Sequence, residues 1–222
     1  MVEALCQFSG AVTLLGGGIA TLRDVEESHV RAPNLVAADG AARFALETGF
    51  DLKAVIGDFD SIDQDTRALI PADRQHPIPE QDSTDFDKCL RSVSAPLFLC
   101  VGFTGSRLDH ELAVYNVLVR RPEKRCIVIG PTDICFHLPE RFEIDVPEGS
   151  RFSLFPLRAV SGESEGLRWP IGGIEFAPWS RVGTSNEAVA SRVSLSLSGP
   201  GMLAILPRAQ LDAVIEALRA AG

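Results

Sequence analysis

The residues best suited to chemistry lie in the run Ala54-Val-Ile-Gly-Asp-Phe-Asp-Ser-Ile62, where Asp58 and Asp60 follow an apolar segment that stops at Gly57. Two carboxylates at i and i+2 leaving a strand, with Ser61 behind them, make a small cluster of hard oxygen ligands. Such a set suits Mg²⁺, which usually accompanies a phosphate. The same residue types are ordinary turn formers, so the run alone leaves a plain surface turn open. Three further acidic features sit just past a strand end or at a helix start. They are Asp39 in Ala-Ala-Asp-Gly-Ala, the run Gln81-Asp-Ser-Thr-Asp85, and Asp109 in Thr104-Gly-Ser-Arg-Leu-Asp-His110. In an open parallel sheet ligands bind outside the carboxyl ends of the strands, so all four are expected to converge on one rim. Carboxylates gathered there would repel one another unless a cation bound them.

Gly102-Phe-Thr-Gly-Ser-Arg107 reads as a glycine-bearing loop between a strand and a helix. Backbone N–H groups at such a helix start can hold phosphate oxygens, and Arg107 could add a bidentate contact. His110, beside Asp109, reads as an orienting or structural residue, with a general-base role as the alternative. Gly16-Gly17-Gly18 lacks dinucleotide-fold spacing and reads as a turn that touches the nucleotide. Lys88 and Arg91 read as solvated, a phosphate role for Lys88 being the lesser alternative. Gly166-Leu-Arg-Trp-Pro170 reads as a packed turn and Gly183-Thr-Ser-Asn186 as turn chemistry.

These residues need a scaffold, and the chain up to about residue 135 alternates strand and helix signals. Strands are expected at 12–15, 34–38, 54–56, 97–101 and 126–129. Helices are expected at 41–48, at 63–69 capped by Asp63, at 84–93 capped by Thr84, and at 108–120 with Leu108, Leu112, Tyr115 and Leu118 near one face. This spacing argues a mainly parallel sheet with crossover helices, an α/β domain over 1–139. From residue 140 the pattern becomes short alternating strands, strictest in Val193-Ser-Leu-Ser-Leu-Ser198. Residues 140–222 therefore read as an all-β sandwich domain closed by an amphipathic helix at 210–221 bearing Leu211, Val214, Ile215 and Leu218.

Composition narrows the function further. A net charge of −9 over 222 residues gives no broad footprint for nucleic acid. No apolar run approaches the ~20 residues that cross a bilayer, and no basic segment precedes an apolar one at the N-terminus. Five cysteines without CxxC spacing read as small buried hydrophobes in a reducing cytoplasm.

Taken in order, Asp39-Gly-Ala, Gly57-Asp-Phe-Asp-Ser61, Gln81-Asp-Ser-Thr-Asp85, Thr104-Gly-Ser-Arg-Leu-Asp-His110, Gly166-Leu-Arg-Trp-Pro170 and Gly183-Thr-Ser-Asn186 resemble the motifs of thiamine pyrophosphokinases, from about residue 12 to 206. The resemblance implies an N-terminal α/β domain, a C-terminal β-sandwich and a homodimer. It also implies Mg²⁺-dependent transfer of pyrophosphate from ATP to thiamine, releasing AMP. Asp39, Asp58, Asp60 and Asp85 would form the metal-binding rim. Gln81, Thr84, Ser106, Arg107, Asp109 and His110 would contact nucleotide or thiamine, and Ser185 and Asn186 would be the β-domain's share of the thiamine site. Asp85 and Asp109 are both candidates for the base that accepts the hydroxyl proton. Two departures stand out: Ser106 replaces a glycine usual in the family, and Glu187-Ala-Val-Ala190 carries no aromatic residue to stack on thiamine. The alternatives are a haloacid-dehalogenase-like phosphatase with Asp58 as nucleophile, a diphosphokinase for another heterocyclic alcohol, and a non-catalytic nucleotide- or vitamin-binding module.

Overall fold

Short apolar runs that stop at glycine or aspartate form the strands of the first half of the chain. The structure, a computed structural model, describes residues 4–221. The chain divides into two compact units between Val117 and Leu118, within the last turns of a helix.

The first unit contains β1 (Cys6–Gln7), β2 (Val12–Leu15), α1 (Leu22–Arg31), β3 (Asn34–Ala38), α2 (Ala41–Glu47), β4 (Leu52–Gly57), α3 (Gln64–Ala68), β5 (Gln75–Pro77), α4 (Asp85–Ser92), β6 (Val93–Ser94), β7 (Phe98–Val101) and most of α5 (Leu108–Arg120). Its strand pairs are parallel: β2 with β7, β3 with β4, β4 with β5, and the short β1 with β6. Strand β2 lies beside β3, which gives the order β5-β4-β3-β2-β7. All four residues of β2 and of β7 are buried, the continuous apolar pattern of a sheet covered on both faces. The carboxyl ends of β2, β3, β4 and β7 run into Gly16-Gly17-Gly18, Asp39, Asp58 and Gly102 respectively.

The second unit contains β8 (Cys126–Ile129), β9 (Asp133–His137), β10 (Arg141–Asp145), β11 (Arg151–Pro156), β12 (Gly162–Glu165), β13 (Gly183–Glu187), β14 (Arg192–Leu197), β15 (Met202–Pro207) and α6 (Leu211–Ala220). Its pairings are antiparallel. Strands β13-β11-β15-β9-β8 follow one another in one sheet, and β10-β14-β12 form a second with α6 against β10. The alternation expected in 193–198 is realised in β14, whose Val193, Leu195 and Leu197 are buried. Helix α6 buries Leu211, Val214, Ile215 and Leu218, the expected face.

Two local expectations need correction. Helix α1 carries no apolar stripe beyond Val25, yet Thr21 closes a capping box with Asp24 that starts it. In α5 the face named from periodicity is buried only at its far end. Leu118 is buried as expected, with Val114 and Val117, but Leu108 and Leu112 are 70% and 59% exposed. The helix enters the core only in its second half, so its first two turns present leucines to the surface.

Glycine is required where β2 ends. A Cβ on Gly16 would meet the Gly102 carbonyl oxygen at 2.5 Å, whereas one on Gly17 would meet nothing within 4 Å. Gly16→Ala is therefore expected to lower unfolding free energy by about 1–3 kcal/mol, the scale of an overpacked site. Gly17→Ala should change it by less than about 1 kcal/mol. Urea unfolding of the two variants checks the contrast, and equal effects would refute the close-approach argument.

Candidate active site

Asp39 leaves β3 in a left-handed conformation, φ 43°, and its N–H donates to the Ile56 carbonyl on β4 at 3.0 Å. Gly57 is needed alongside, because a Cβ there would lie 2.7 Å from the Asp39 Cβ. Asp39 is 3% exposed; its Oδ2 accepts the Ser61 N–H at 3.2 Å, while its Oδ1 is buried without a hydrogen-bond partner. A buried carboxylate oxygen left unpaired is costly unless something outside the protein completes it. In the turn after β4, Phe59 between the two aspartates is also left-handed, φ 67°, and buried, with the Arg67 guanidinium 4.9 Å from the ring centre. That anchored turn brings Asp58 and Asp60 to Asp39, one oxygen of each lying within 4.8 Å of the others. Three hard oxygens at this spacing, beside a carboxylate with an unpartnered buried oxygen, fit a divalent cation such as Mg²⁺.

The cation that the structure does contain is Lys88. Sequence reading placed it in solvent, but it is 2% exposed, and its Nζ lies 3.2 Å from Asp58 Oδ2 and 3.3 Å from Asp85 Oδ1. Its position follows from α4. Thr84 caps the helix by accepting the Asp87 N–H, which puts Asp85 in the first turn and Lys88 three residues on, pointing back at β4. Arg91 is not free in solvent either: it pairs with Glu80 at 2.6 Å. Glu80 in turn accepts the Asp82 N–H and the Ser83 hydroxyl, which shapes the loop carrying Gln81. Gln81 Nε2 donates to Asp58 Oδ2 at 3.0 Å. The sequence does not single out Glu80, and it offers Lys88 only as a lesser candidate for phosphate contact, not as a partner of the carboxylates.

The electrostatics follow this arrangement. Burial would raise the Asp58 carboxyl, but Gln81, the Asp60 N–H and Lys88 outweigh it and hold it down at about 2. Burial raises Asp39 above the usual carboxylate range, and the Asp85 charge adds to this, with the Ser61 contacts opposing. Burial also raises Asp85, partly offset by Lys88. Burial pulls the Lys88 ammonium down, but its two carboxylates win and raise it.

A cavity of about 360 Å³ opens beside this cluster, lined by Asp39, Thr84, Asp85, Ser106, Arg107 and His110 among others. Gly17, Gly18 and Gly102 complete one wall, knitted together by the Gly18 N–H donating to the Gly102 carbonyl at 2.6 Å. The glycine turn, Asp39, Asp85 and the loop before α5 thus share one concavity, in line with the strand-end argument, while Asp58, Asp60 and Gln81 stand beside it and do not line it. Asp109 is not among the lining residues. It holds Arg107 through two hydrogen bonds, to Nε at 3.2 Å and to an Nη at 2.6 Å. Both side chains are well exposed, and Arg107 holds the Asp109 carboxyl below its ordinary range.

Ser185 and Asn186 lie on β13 of the second unit. Ser185 is left-handed, φ 60°, and its N–H donates to the Ser153 hydroxyl. Asn186 is 6% exposed. Its amide grips the Trp169 backbone, accepting the Trp169 N–H at 3.2 Å and donating to the Trp169 carbonyl at 2.7 Å. The Trp169 ring that this grip holds is 57% exposed, not packed as its sequence context suggested, with the Arg168 guanidinium 5.9 Å from its centre.

Comparison with known proteins agrees with the geometry. A family model described as thiamin pyrophosphokinase, catalytic domain, matches residues 25–129. Thiamine pyrophosphokinase 1 of Arabidopsis thaliana is 27% identical over 176 residues, 68% of this chain and 64% of the relative. Thiamine pyrophosphokinase 2 of the same plant is 28% identical over 64% of this chain and 61% of the relative. The chain thus spans less than two thirds of the length of these relatives. Among solved structures, yeast thiamin pyrophosphokinase superposes with a TM-score of 0.74 at 17% identity, covering 97% of this chain and 95% of the yeast one. Thiamin pyrophosphokinase from Geobacillus thermodenitrificans gives 0.72 at 22% identity, covering 89% and 96%. At these identities the superpositions establish a shared fold.

Two substitutions test the electrostatic reading. Asp39 has its carboxyl raised, so its charge costs stability at pH above that raised value and costs nothing once both folded and unfolded forms are protonated. Asp39→Asn, which also tolerates positive φ, should stabilise the metal-free protein at pH 7. The gain should shrink as pH falls through the carboxylate range, and the variant should lose the thermal stabilisation that Mg²⁺ gives the parent. A melting series over pH, with and without Mg²⁺, checks both. Lys88→Met should destabilise the metal-free protein by about 3 kcal/mol, the scale of removing one partner of a buried pair. Added Mg²⁺ should recover more stability in this variant than in the parent, and the same calorimetry would expose an unchanged response.

Proposed function

We propose that this chain, which is similar to thiamin pyrophosphokinases in sequence over residues 25–129 and in fold, transfers the pyrophosphoryl group of ATP to thiamine, giving thiamine diphosphate and AMP. The observation that carries the reading is the gathering of Asp39, Asp58 and Asp60, one with an unpartnered buried oxygen, at a glycine-walled cavity. In the reaction the hydroxyethyl oxygen of thiamine attacks the β-phosphorus of ATP. The bond from that phosphorus to the oxygen bridging the α-phosphate breaks, and AMP leaves with the electron pair. The hydroxyl proton passes to a carboxylate. Reactions of this type rest on positioning and charge neutralisation more than on covalent work by the protein.

Asp39, Asp58 and Asp60 are the residues that would hold Mg²⁺, with Asp85 completing the rim across Lys88. A bound Mg²⁺ would supply neutralisation of the phosphate oxygens. Gln81 and Lys88 fix the orientation of Asp58 by sharing its Oδ2. Arg107 lines the cavity and can exchange Asp109 for a phosphate. Of the two candidate bases we favour Asp85, because it lines the cavity whereas Asp109 does not. His110 and Ser106 face the same space and are assigned to substrate contact. We assign nucleotide handling to the α/β part, residues 1–139, and thiamine recognition to the β-sandwich part, residues 140–222. There the exposed Trp169 ring, held by Asn186, offers the aromatic surface that the stretch after Asn186 lacks. We also assign the active form to a homodimer and, from five free cysteines, the location to the cytoplasm. Among the described residues no helix is long and apolar enough to cross a membrane.

Incubation with ATP, Mg²⁺ and thiamine should yield AMP and thiamine diphosphate in equal amounts, each dependent on all three components. Asp85→Asn should lower kcat by at least ~10²-fold, the scale of losing a general base, with nucleotide binding retained. Appearance of ADP with thiamine monophosphate, or of inorganic phosphate alone, would overturn the assignment. A fall in kcat in Asp109→Asn but not in Asp85→Asn would reassign the base.

A further inference from the structure

The loop between β7 and α5 is held at its two ends by different means. Its first half is tied to the glycine turn, through the Gly18 N–H on the Gly102 carbonyl at 2.6 Å and the Ile19 N–H on the Thr104 carbonyl at 3.1 Å. Its second half has a side-chain tie. The Gly105 N–H donates to Glu111 Oε2 at 2.9 Å, and the Tyr115 hydroxyl donates to Glu111 Oε1 at 2.9 Å. Gly105 is left-handed, φ 78°. Thr104, Ser106 and Arg107 line the cavity and Gly105 between them does not.

We propose that Glu111, seated by Tyr115, is a positioning residue that holds the Gly105–Arg107 segment in the shape that receives the nucleotide phosphates. The proposal rests on the reading of the cavity as the ATP site. The geometry suits the task. Glu111 stands in the first turn of α5, where its own N–H closes the first helical bond onto the Arg107 carbonyl at 3.0 Å. Its carboxylate therefore reaches back over the start of the helix to a residue six positions earlier. Tyr115 lies one turn further on the same face, at the i+4 spacing that brings side chains together. Each carboxylate oxygen thus has its own donor, one from the loop and one from the helix. The anion also takes up the amide of Gly105, the residue of the segment that does not line the cavity, while Ser106 and Arg107 do. An alanine at 111 would free Gly105, whose backbone freedom is greater than that of any other residue.

The test compares Glu111→Ala, Glu111→Gln and Tyr115→Phe by two readouts. In the first, hydrogen exchange of the 103–107 backbone is followed in each variant without nucleotide. Glu111→Ala should lose protection there, Glu111→Gln, which keeps an acceptor, should retain most of it, and Tyr115→Phe should fall between. In the second, KM for ATP should rise roughly tenfold in Glu111→Ala, the scale of one charge-assisted hydrogen bond, and much less in Glu111→Gln. The melting temperature of each variant reports whether it is folded, and Tyr115→Phe carries the test if Glu111→Ala is not. Unchanged exchange at 103–107 would overturn the brace. Tighter ATP binding in Glu111→Ala would overturn it differently, by showing that the carboxylate competes with phosphate. If the parent protein binds no ATP, the nucleotide reading fails, while the exchange readout still decides whether Glu111 holds the loop.

Discussion

Mutual repulsion among carboxylates is the constraint on which the rest of the site depends. Two like charges 4.8 Å apart, the upper limit of the separations here, repel by roughly 3 kcal/mol at the effective dielectric of a protein surface, and closer ones by more. The rim assembles Asp39, Asp58, Asp60 and Asp85 against a single buried ammonium, that of Lys88. One internal cation cannot neutralise four anions, so the fold must enforce their proximity. It does so with backbone that resists relaxation: left-handed residues at Asp39 and Phe59, a glycine at 57 that admits the Asp39 side chain, and a buried aromatic residue in the turn. Residues held this way are what a site needs if its attraction for a cation is to exist before the cation arrives.

Lys88 gives this arrangement its polarity. By occupying Asp58 Oδ2 together with Gln81, it leaves the charge deficit on the side of Asp39 and Asp60, where an oxygen lacks a partner. The nearby Arg107 differs in every respect. It is exposed, paired with a neighbour two residues away, and free to trade that partner without leaving a buried charge behind. A buried fixed cation on Asp58 and an exposed exchangeable one at the cavity wall would divide the work. Under the proposed function the first would orient carboxylates for a metal, and the second would follow the charge of a bound phosphate.

Much of this was legible in the residues, for definite reasons. Strand ends are marked by glycine and aspartate after β-branched runs, so the parallel order and the shared rim could be argued from spacing, and the caps at Asp63 and Thr84 were visible as side-chain chemistry. What escaped was decided by tertiary partners. Nothing in Asp85-Phe-Asp-Lys88 says that the lysine points inward, since a carboxylate from β4, 30 residues earlier, decides it. In α5 a 3.6-residue period selects Leu108 and Leu112 as readily as Val114 and Leu118, and only the point where the helix meets its neighbours chooses between them. Helix α1 hid because a capping box, not an apolar stripe, marks it.

The loop before α5 shows how a local departure is absorbed. A serine at 106, where the resemblance drawn from the sequence leads one to expect glycine, brings a side chain to the cavity wall. The position that needs glycine's freedom is its neighbour: Gly105 holds the left-handed angle, and a Cβ there would press on Ile19 at 3.2 Å. With that conformation assigned to Gly105 and its amide taken by Glu111, residue 106 can carry a side chain without straining the turn. The hydroxyl of Ser106 then becomes an added polar group facing the cavity, rather than an obstruction within the loop.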